Sequence, residues 1–172
     1  MSKISGRVWK FGDQVNTDLI FPGKAFRMSV AEQAEVLFDT HRPEWPQLVQ
    51  PGDILVAGHN FGIGSARPIG NPLLHLGVTA VLADSMSAIF QRSCLNSGLF
   101  AMPVHEVAEL CEEGDSLDID IDRGIVVNTQ NDREASFIPL PEQVRAILDA
   151  GGVLPMLRRD GYLPLADDST LL

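Results

Sequence analysis

The chain has little of what most metal centres and disulfide frameworks require. Its 172 residues include only two cysteines, Cys94 and Cys111, and these do not form a CxxC spacing. Two thiols build neither a disulfide framework nor the four-thiolate ligand set of an iron–sulfur cluster. We therefore expect no metal to be held by this chain alone.

Basic residues and long apolar runs are also scarce. The chain has 13 Lys and Arg residues but 23 Asp and Glu residues, which gives a net charge of −10. Nucleic acids and membrane surfaces are negative themselves, so this charge argues against either of them as a partner. No segment approaches the about 18 consecutive apolar residues of a membrane span, and none resembles the apolar part of a signal peptide. We expect a cytoplasmic protein.

The remaining composition is typical of a soluble globular protein, with 45% hydrophobic and 21% charged residues. A chain of this length can bury a sizeable core. We predict a single domain over residues 1–172, with a core at about residues 4–157. The tail, residues 158–172, is expected to be poorly ordered or docked on a partner.

Residues 51–99 carry the most information about the fold. An apolar run at residues 54–57 precedes the glycine-rich sequence HNFGIGSAR, and a second apolar run follows at residues 78–83. Helical spacing at residues 71–76 and 86–95, with Gly98 as a helix stop, alternates with these runs and with a strand at residues 99–104. Alternating strands and helices predict an α/β fold with a parallel β/α core.

The glycine-rich loop has two possible interpretations. Gly62 and Gly64 allow close approach of a ligand, and Ser65 and Arg67 are expected where the loop enters a helix, so together they can bind an anion. Alternatively, the loop only turns the chain and caps that helix. Nucleotide motifs fit poorly, because position 67 is not the third glycine of a dinucleotide fingerprint and no Gly-Lys-Ser/Thr follows.

The pattern changes after residue 104. Residues 107–113 and 141–150 read as helices, whereas residues 117–122 alternate strictly and are followed by Arg123-Gly124 and an apolar run. This pattern predicts a β-hairpin with one acidic face. Its three aspartates lack the glycine and glutamate of a calcium-binding loop, so a solvated strand face is favoured.

Three ordered motifs carry a resemblance to a known family. They are GRVWKFGD at residues 6–13, NTDLIFPG at residues 16–23 and NFGIGSAR at residues 60–67. They resemble the small subunits of 3-isopropylmalate dehydratase, which correspond to the swivel domain of the aconitase superfamily. The resemblance implies a swivelling β/β/α domain with an additional hairpin. It also implies a heterodimer in which a large subunit carries a 4Fe–4S cluster and this chain completes the shared active site.

The same resemblance implies a hydro-lyase that is inactive without its partner. Enzymes of this family dehydrate and rehydrate a 2-hydroxy carboxylate, here 3-isopropylmalate of leucine biosynthesis or a related substituted malate. It further implies that Ser65 acts as the base in its alkoxide form, and that Arg67 and Gly64 bind the substrate. A serine can serve as a base only if Arg67 and the loop N–H groups stabilise its anion.

Further roles come from the residues around position 20. Asp18 matches the last acid of the family's Asp-Thr-Asp segment, which lies in the active-site network, while Asn16 replaces the first acid. Lys24 and Arg27 lie in the loop that, in this family, contacts the variable group of the substrate. They are the two cations available there, although a lone surface cation is usually only solvated.

The central loop departs from the usual family sequence Gly-Cys-Gly-Ser-Ser-Arg-Glu. Ile63 replaces the cysteine, Ala66 removes a hydroxyl and Pro68 removes the acid. A different substituted malate, or a non-catalytic domain that binds a carboxylate or acts as a scaffold, is therefore an alternative. The missing metal ligands argue against an enzyme that works without a partner.

Overall fold

The computed structural model describes residues 2–164. These residues form a mixed seven-stranded sheet in the order β4-β3-β2-β1-β5-β6-β7. The strands are β1 (Lys3–Phe11), β2 (Ile54–Ala57), β3 (Ala80–Ala83), β4 (Phe100–Pro103), β5 (Ser116–Asp120), β6 (Ile125–Asn128) and β7 (Glu134–Ser136).

Strand β1 joins a parallel half of the sheet to an antiparallel half. Strands β1 to β4 are parallel neighbours, with Val8 opposite Ile54 and Ile54 opposite Ala80. On its other side, β1 pairs antiparallel with β5, and β5, β6 and β7 continue as antiparallel neighbours. The predicted α/β class, parallel core and additional hairpin are confirmed.

The helices lie in the connections between strands and, for the last two, after β7. They are α1 (Thr17–Ile20), α2 (Val30–Glu35), α3 (Trp45–Leu48), α4 (Gly70–His75), α5 (Ala88–Asn96), α6 (Val107–Leu110), α7 (Glu142–Asp149) and α8 (Val153–Arg159), with a 3₁₀ helix at Gly23–Arg27. Gly98 follows α5 with φ +88°, as expected of a residue that ends a helix. Within the described residues, no helix is long and apolar enough to cross a membrane.

Both faces of the sheet are covered by apolar cores because successive side chains of a strand point to opposite sides. Leu55 belongs to one core, together with aromatic residues that precede β2, whereas Ile54 and Val56 belong to the core on the other face. All four residues of β2 are buried, which explains its unbroken apolar sequence. This strand therefore gives a rigid base to the glycine-rich loop that follows it.

Several predicted bounds need correction. The predicted helix at residues 107–113 ends earlier, at Leu110. Helix α8 was not predicted, and it extends to Arg159, two residues into the predicted tail. Strand β7 was not predicted either, because its three residues carry too little alternation to be recognised. The rest of the tail prediction, at residues 165–172, lies outside the described residues.

Candidate functional site

The glycine-rich loop leaves the carboxyl end of β2 and is held from two sides by backbone hydrogen bonds. The Gly62 N–H donates to the Val15 carbonyl and the Thr17 N–H donates to the Ile63 carbonyl, both at 2.8 Å. On the other side, the Phe61 N–H donates to the carbonyl of Ser85 at 3.0 Å. The loop is thus fixed by contacts that are remote in sequence.

Two glycines permit this path. Gly62 has φ +70° and lies directly against the buried ring of Phe90, so that a Cβ at position 62 would overlap the ring. Gly64 has φ +122°, and a Cβ there would lie 2.6 Å from the hydroxyl oxygen of Thr17. Both the backbone conformation and the lack of space require glycine at these positions.

The loop presents an unusual run of free polar groups. The side chain of Ser65 is exposed, and its hydroxyl makes no hydrogen bond within residues 2–164. The peptide N–H groups of residues 64–67 are likewise without acceptors in this part of the chain. Consecutive unpaired N–H groups in a loop can bind an anion. The N–H groups of residues 64–67 are therefore available to donate to a negatively charged Ser65 oxygen or to a bound carboxylate.

Arg67 is the buried cation of the site. Its side chain is only 8% exposed and forms an ion pair with Asp18, whose side chain is 74% exposed. The other terminal nitrogen, Nη1, donates to the Phe21 carbonyl at 2.6 Å, and the guanidinium lies 5.3 Å from the centre of the Phe26 ring. These contacts fix the position of the guanidinium. They leave Asp18 as its exposed and replaceable partner.

Helix α1 positions Asp18. The Asn16 side chain accepts a hydrogen bond from the Leu19 N–H at 2.9 Å, which caps the first turn. Asp18 lies in that turn and points to Arg67. The substitution of asparagine for the family's acid at position 16 is compatible with this role, since both residue types are good helix caps.

Lys24 and Arg27, the two cations predicted to contact the variable group of the substrate, differ in their surroundings. Lys24 pairs with Asp39 at 2.6 Å, which holds its ammonium. Arg27 is exposed and makes no ion pair or hydrogen bond among the described residues. It follows Phe26, whose ring lies against Arg67. Of these two residues, Arg27 is the one with a free charge.

The glycine-rich loop enters helix α4 after Ser65 and Arg67. The helix begins at Gly70, one residue before its predicted start, so that both residues lie in the loop that precedes it. The Arg67 carbonyl is instead bound by the Ser93 hydroxyl and the Ile69 N–H, both at 2.9 Å. Ser93 was not recognised from the sequence, because no local pattern links a residue of α5 to a loop 26 positions away.

Cysteine chemistry does not contribute to the site. Cys94 and Cys111 are buried in the two different cores, on opposite faces of the sheet. Burial raises the pKa of both thiols, that of Cys111 to about 11. Two separated, protonated thiols do not fit the ligand set of an iron–sulfur cluster. Among residues 2–164, no group of three or more His, Cys, Asp or Glu side chains could hold a metal ion.

The chain is similar to known proteins over most of its length. Residues 14–107 match the sequence model of the aconitase C-terminal domain. The chain is 44% identical to the 3-isopropylmalate dehydratase small subunit of Nautilia profundicola, covering 90% of this chain and 93% of that protein. It is 38% identical to the homoaconitase small subunit of Thermus thermophilus, covering 92% of this chain and 98% of that protein.

A solved structure is similar as well. The crystal structure of 3-isopropylmalate dehydratase from Methanocaldococcus jannaschii superposes with a TM-score of 0.85 at 34% identity. The match covers 92% of this chain and 95% of the other. The same organism has an isopropylmalate/citramalate isomerase small subunit that is 38% identical, covering 92% of this chain and 95% of that protein.

Proposed function

The chain belongs to the aconitase C-terminal domain family, as a small subunit of the 3-isopropylmalate dehydratase type, and from this membership we propose how it contributes to catalysis. It supplies a serine base and a carboxylate-binding arginine to an active site shared with a large subunit. The reaction is the dehydration and rehydration of a 2-hydroxy dicarboxylate, either 3-isopropylmalate or a related substituted malate. The isolated chain is inactive.

The observation that carries the proposal is that one loop holds the exposed Ser65 hydroxyl, a buried arginine two residues later and four unpaired N–H groups within residues 2–164. A serine hydroxyl is a weak base in water and must be used as its anion. Fixed donors that are already oriented stabilise such an anion without any rearrangement. In this loop, the N–H groups of residues 64–67 and the guanidinium of Arg67 are available for that purpose. Ser65 would then accept the carbon-bound proton of the substrate.

Arg67 binds a substrate carboxylate in the proposed mechanism. A guanidinium presents two parallel N–H groups to a carboxylate, and the contacts to Phe21 and Phe26 keep it in place. Asp18 occupies one of its nitrogens in the isolated chain and compensates its buried charge. When substrate and partner arrive, the exposed Asp18 carboxylate is free to move to another group. Asp18 is thus part of the active-site network.

The metal centre belongs to the partner in this proposal. The two thiols of this chain cannot hold a 4Fe–4S cluster, and we assign the cluster to the large subunit. When bound, it supplies the Lewis acid for the leaving hydroxyl. This chain contributes the base, the arginine and the residues that select the substrate. Arg27 is the group best placed to contact the variable part of the substrate, because Lys24 is already paired with Asp39.

The function is tested by producing the chain with its large subunit under anaerobic conditions. The complex and each separate chain are assayed with a panel of substituted malates, and the unsaturated product is followed by its absorbance. We expect turnover only with both chains. A stable complex that binds these acids without turning any of them over would favour the non-catalytic carboxylate-binding domain. Turnover by the isolated chain would contradict the shared site.

A further inference from the structure

Thr17 has a buried hydroxyl that nothing else in the structure uses. The residue is 2% exposed, and its Oγ1 atom has no hydrogen-bond partner among the residues that the structure describes. A buried polar group without a partner destabilises the folded state. Such groups are rare in native proteins, and each calls for an explanation such as a catalytic role or a bound water or ion.

The hydroxyl is not needed to begin helix α1. The side chain of Asn16 already caps this helix through the Leu19 N–H. The backbone of Thr17 has its own function, since its N–H donates to the Ile63 carbonyl at 2.8 Å and so anchors the loop. Neither contact involves the hydroxyl. The local structure therefore leaves the Thr17 side chain without an evident function.

The position of the hydroxyl relates it to Ser65. It lies against Gly64, where a Cβ would come within 2.6 Å of Oγ1. Gly64 immediately precedes Ser65, and the N–H groups of both residues are unpaired within residues 2–164. A small shift of this loop segment would let the Thr17 hydroxyl donate to the Gly64 carbonyl, which accepts no hydrogen bond within residues 2–164, so the N–H groups stay available. No side chain intervenes, because position 64 is glycine.

We propose that Thr17 is a positioning residue for Ser65. Its hydroxyl forms a hydrogen bond with the Gly64–Ser65 segment of the assembled enzyme as the transition state is reached, and the unpartnered hydroxyl belongs to the isolated subunit. The inference rests on the proposed function of Ser65. A hydrogen bond that forms only on the way to the transition state raises kcat, whereas it changes KM little.

Two substitutions separate the hydroxyl from the rest of the side chain. Thr17→Val keeps the shape and removes the hydroxyl, and Thr17→Ser keeps the hydroxyl and removes the methyl group. As a matched control, Thr79→Val removes a hydroxyl that donates to the Gly52 carbonyl at 3.0 Å. Thr79 immediately precedes β3, so it lies at the amino ends of the parallel strands, opposite to the glycine-rich loop. Each variant is assembled with the large subunit for kinetics, and its melting temperature is measured on the small subunit alone.

We expect Thr17→Val to lower kcat by about tenfold to a hundredfold with little change in KM, which is less than the loss of a donor that contacts the reacting oxygen itself. Its melting temperature should not fall, because the lost hydroxyl has no partner in the isolated subunit. Thr17→Ser should retain most of the activity. Thr79→Val should show the reverse pattern, with a lower melting temperature and unchanged kcat, since it loses a hydrogen bond that is already formed.

The inference is overturned if Thr17→Val keeps kcat within threefold of the original enzyme, or if Thr17→Ser is as impaired as Thr17→Val. Should the valine variant fail to fold, Thr17→Ala compared with Thr17→Ser isolates the same hydroxyl. Ser65→Ala, measured in the same assembled enzyme, separates the two proposals. If Ser65→Ala is inactive while Thr17→Val is fully active, only the role of Thr17 is lost. If Ser65→Ala is active, the proposed function itself fails.

Discussion

The buried guanidinium of Arg67 is paired with the exposed carboxylate of Asp18, a residue 49 positions earlier in the chain. The pair is asymmetric, because the arginine is held on its other side by the Phe21 carbonyl while the aspartate is held by little else. An anion that approaches from solvent therefore meets a fixed cation whose partner is exposed. This arrangement suits a site that must be neutral when empty and must bind a carboxylate when occupied.

Arg67→Lys tests whether the shape of the guanidinium matters. A lysine keeps the charge but cannot contact the Phe21 carbonyl and also present two parallel donors to a carboxylate. We expect kcat/KM of the assembled enzyme to fall about a hundredfold, in line with the loss of one or two hydrogen bonds to charged groups. Arg123→Lys, on the exposed turn of the hairpin, should leave kcat/KM unchanged. Equal activity of both variants would contradict the proposed role of Arg67.

Gly62→Ala tests the path of the loop. The new methyl group would overlap the Phe90 ring, and the positive φ would be strained, so we expect the free energy of unfolding to fall by about 1–3 kcal/mol. Gly12→Ala is the matched control, since its position is open and its φ is not in the left-handed region. Urea denaturation of the isolated subunit measures both. A stable Gly62→Ala protein would show that the loop can be rebuilt without glycine.

Asp53 gives a prediction for the dependence of stability on pH. Burial by itself would raise the pKa of this carboxyl, but hydrogen bonds from Arg7, the Gln50 N–H and Trp9 outweigh it and lower the pKa. A lowered pKa in the folded state means that the carboxylate stabilises the fold above the ordinary pKa of about 3.9. This stabilisation is lost as the pH falls through the pKa of the folded state.

We therefore expect Asp53→Asn to lower the free energy of unfolding by about 2 kcal/mol at neutral pH. The difference from the unsubstituted protein should shrink as the pH falls below about 4, because the original residue becomes protonated as well. Asp118→Asn, on the acidic face of β5, should have little effect at any pH. A difference for Asp53→Asn that stays constant down to pH 2 would show that its charge is not responsible.

Arg27→Met and Lys24→Met together test which of the two cations contacts the substrate. Arg27 has a free charge among the described residues, whereas the Lys24 ammonium is bound to Asp39. We expect the arginine variant to raise KM about tenfold, as the loss of one charged contact would, and the lysine variant to leave KM nearly unchanged. Steady-state kinetics over the panel of substituted malates measures both. The reverse order would assign substrate selection to Lys24.

The sheet could be predicted from the sequence because its signals are local. Each local pattern predicts the conformation of the residues that form it. Examples are the apolar residues of β2 and β3, the alternation at Leu117 to Ile121 and the helix stop at Gly98. The short strand β7 and helix α8 carry weaker signals. Helix α8 has no buried residue, so that its apolar residues show no face directed to a core.

The site was predictable only in its residue types. The sequence indicated an anion-binding loop, and the family resemblance added roles for Ser65 and Arg67. The contacts of Arg67 with the Phe21 carbonyl and of Lys24 with Asp39 depend on how remote segments pack, which no local spacing encodes. For the same reason, the burial of the Thr17 hydroxyl could not be recognised from its position in the NTD sequence.

The most direct test of the account is the turnover of the assembled enzyme with Ser65→Ala. General base catalysis contributes on the order of 10²- to 10⁴-fold, and we expect kcat to fall by at least the lower figure while the two subunits still assemble. Ser136→Ala, which removes an exposed hydroxyl from β7, serves as the control and should leave kcat unchanged. If Ser65→Ala retained kcat within tenfold of the original enzyme, Ser65 would not be the base.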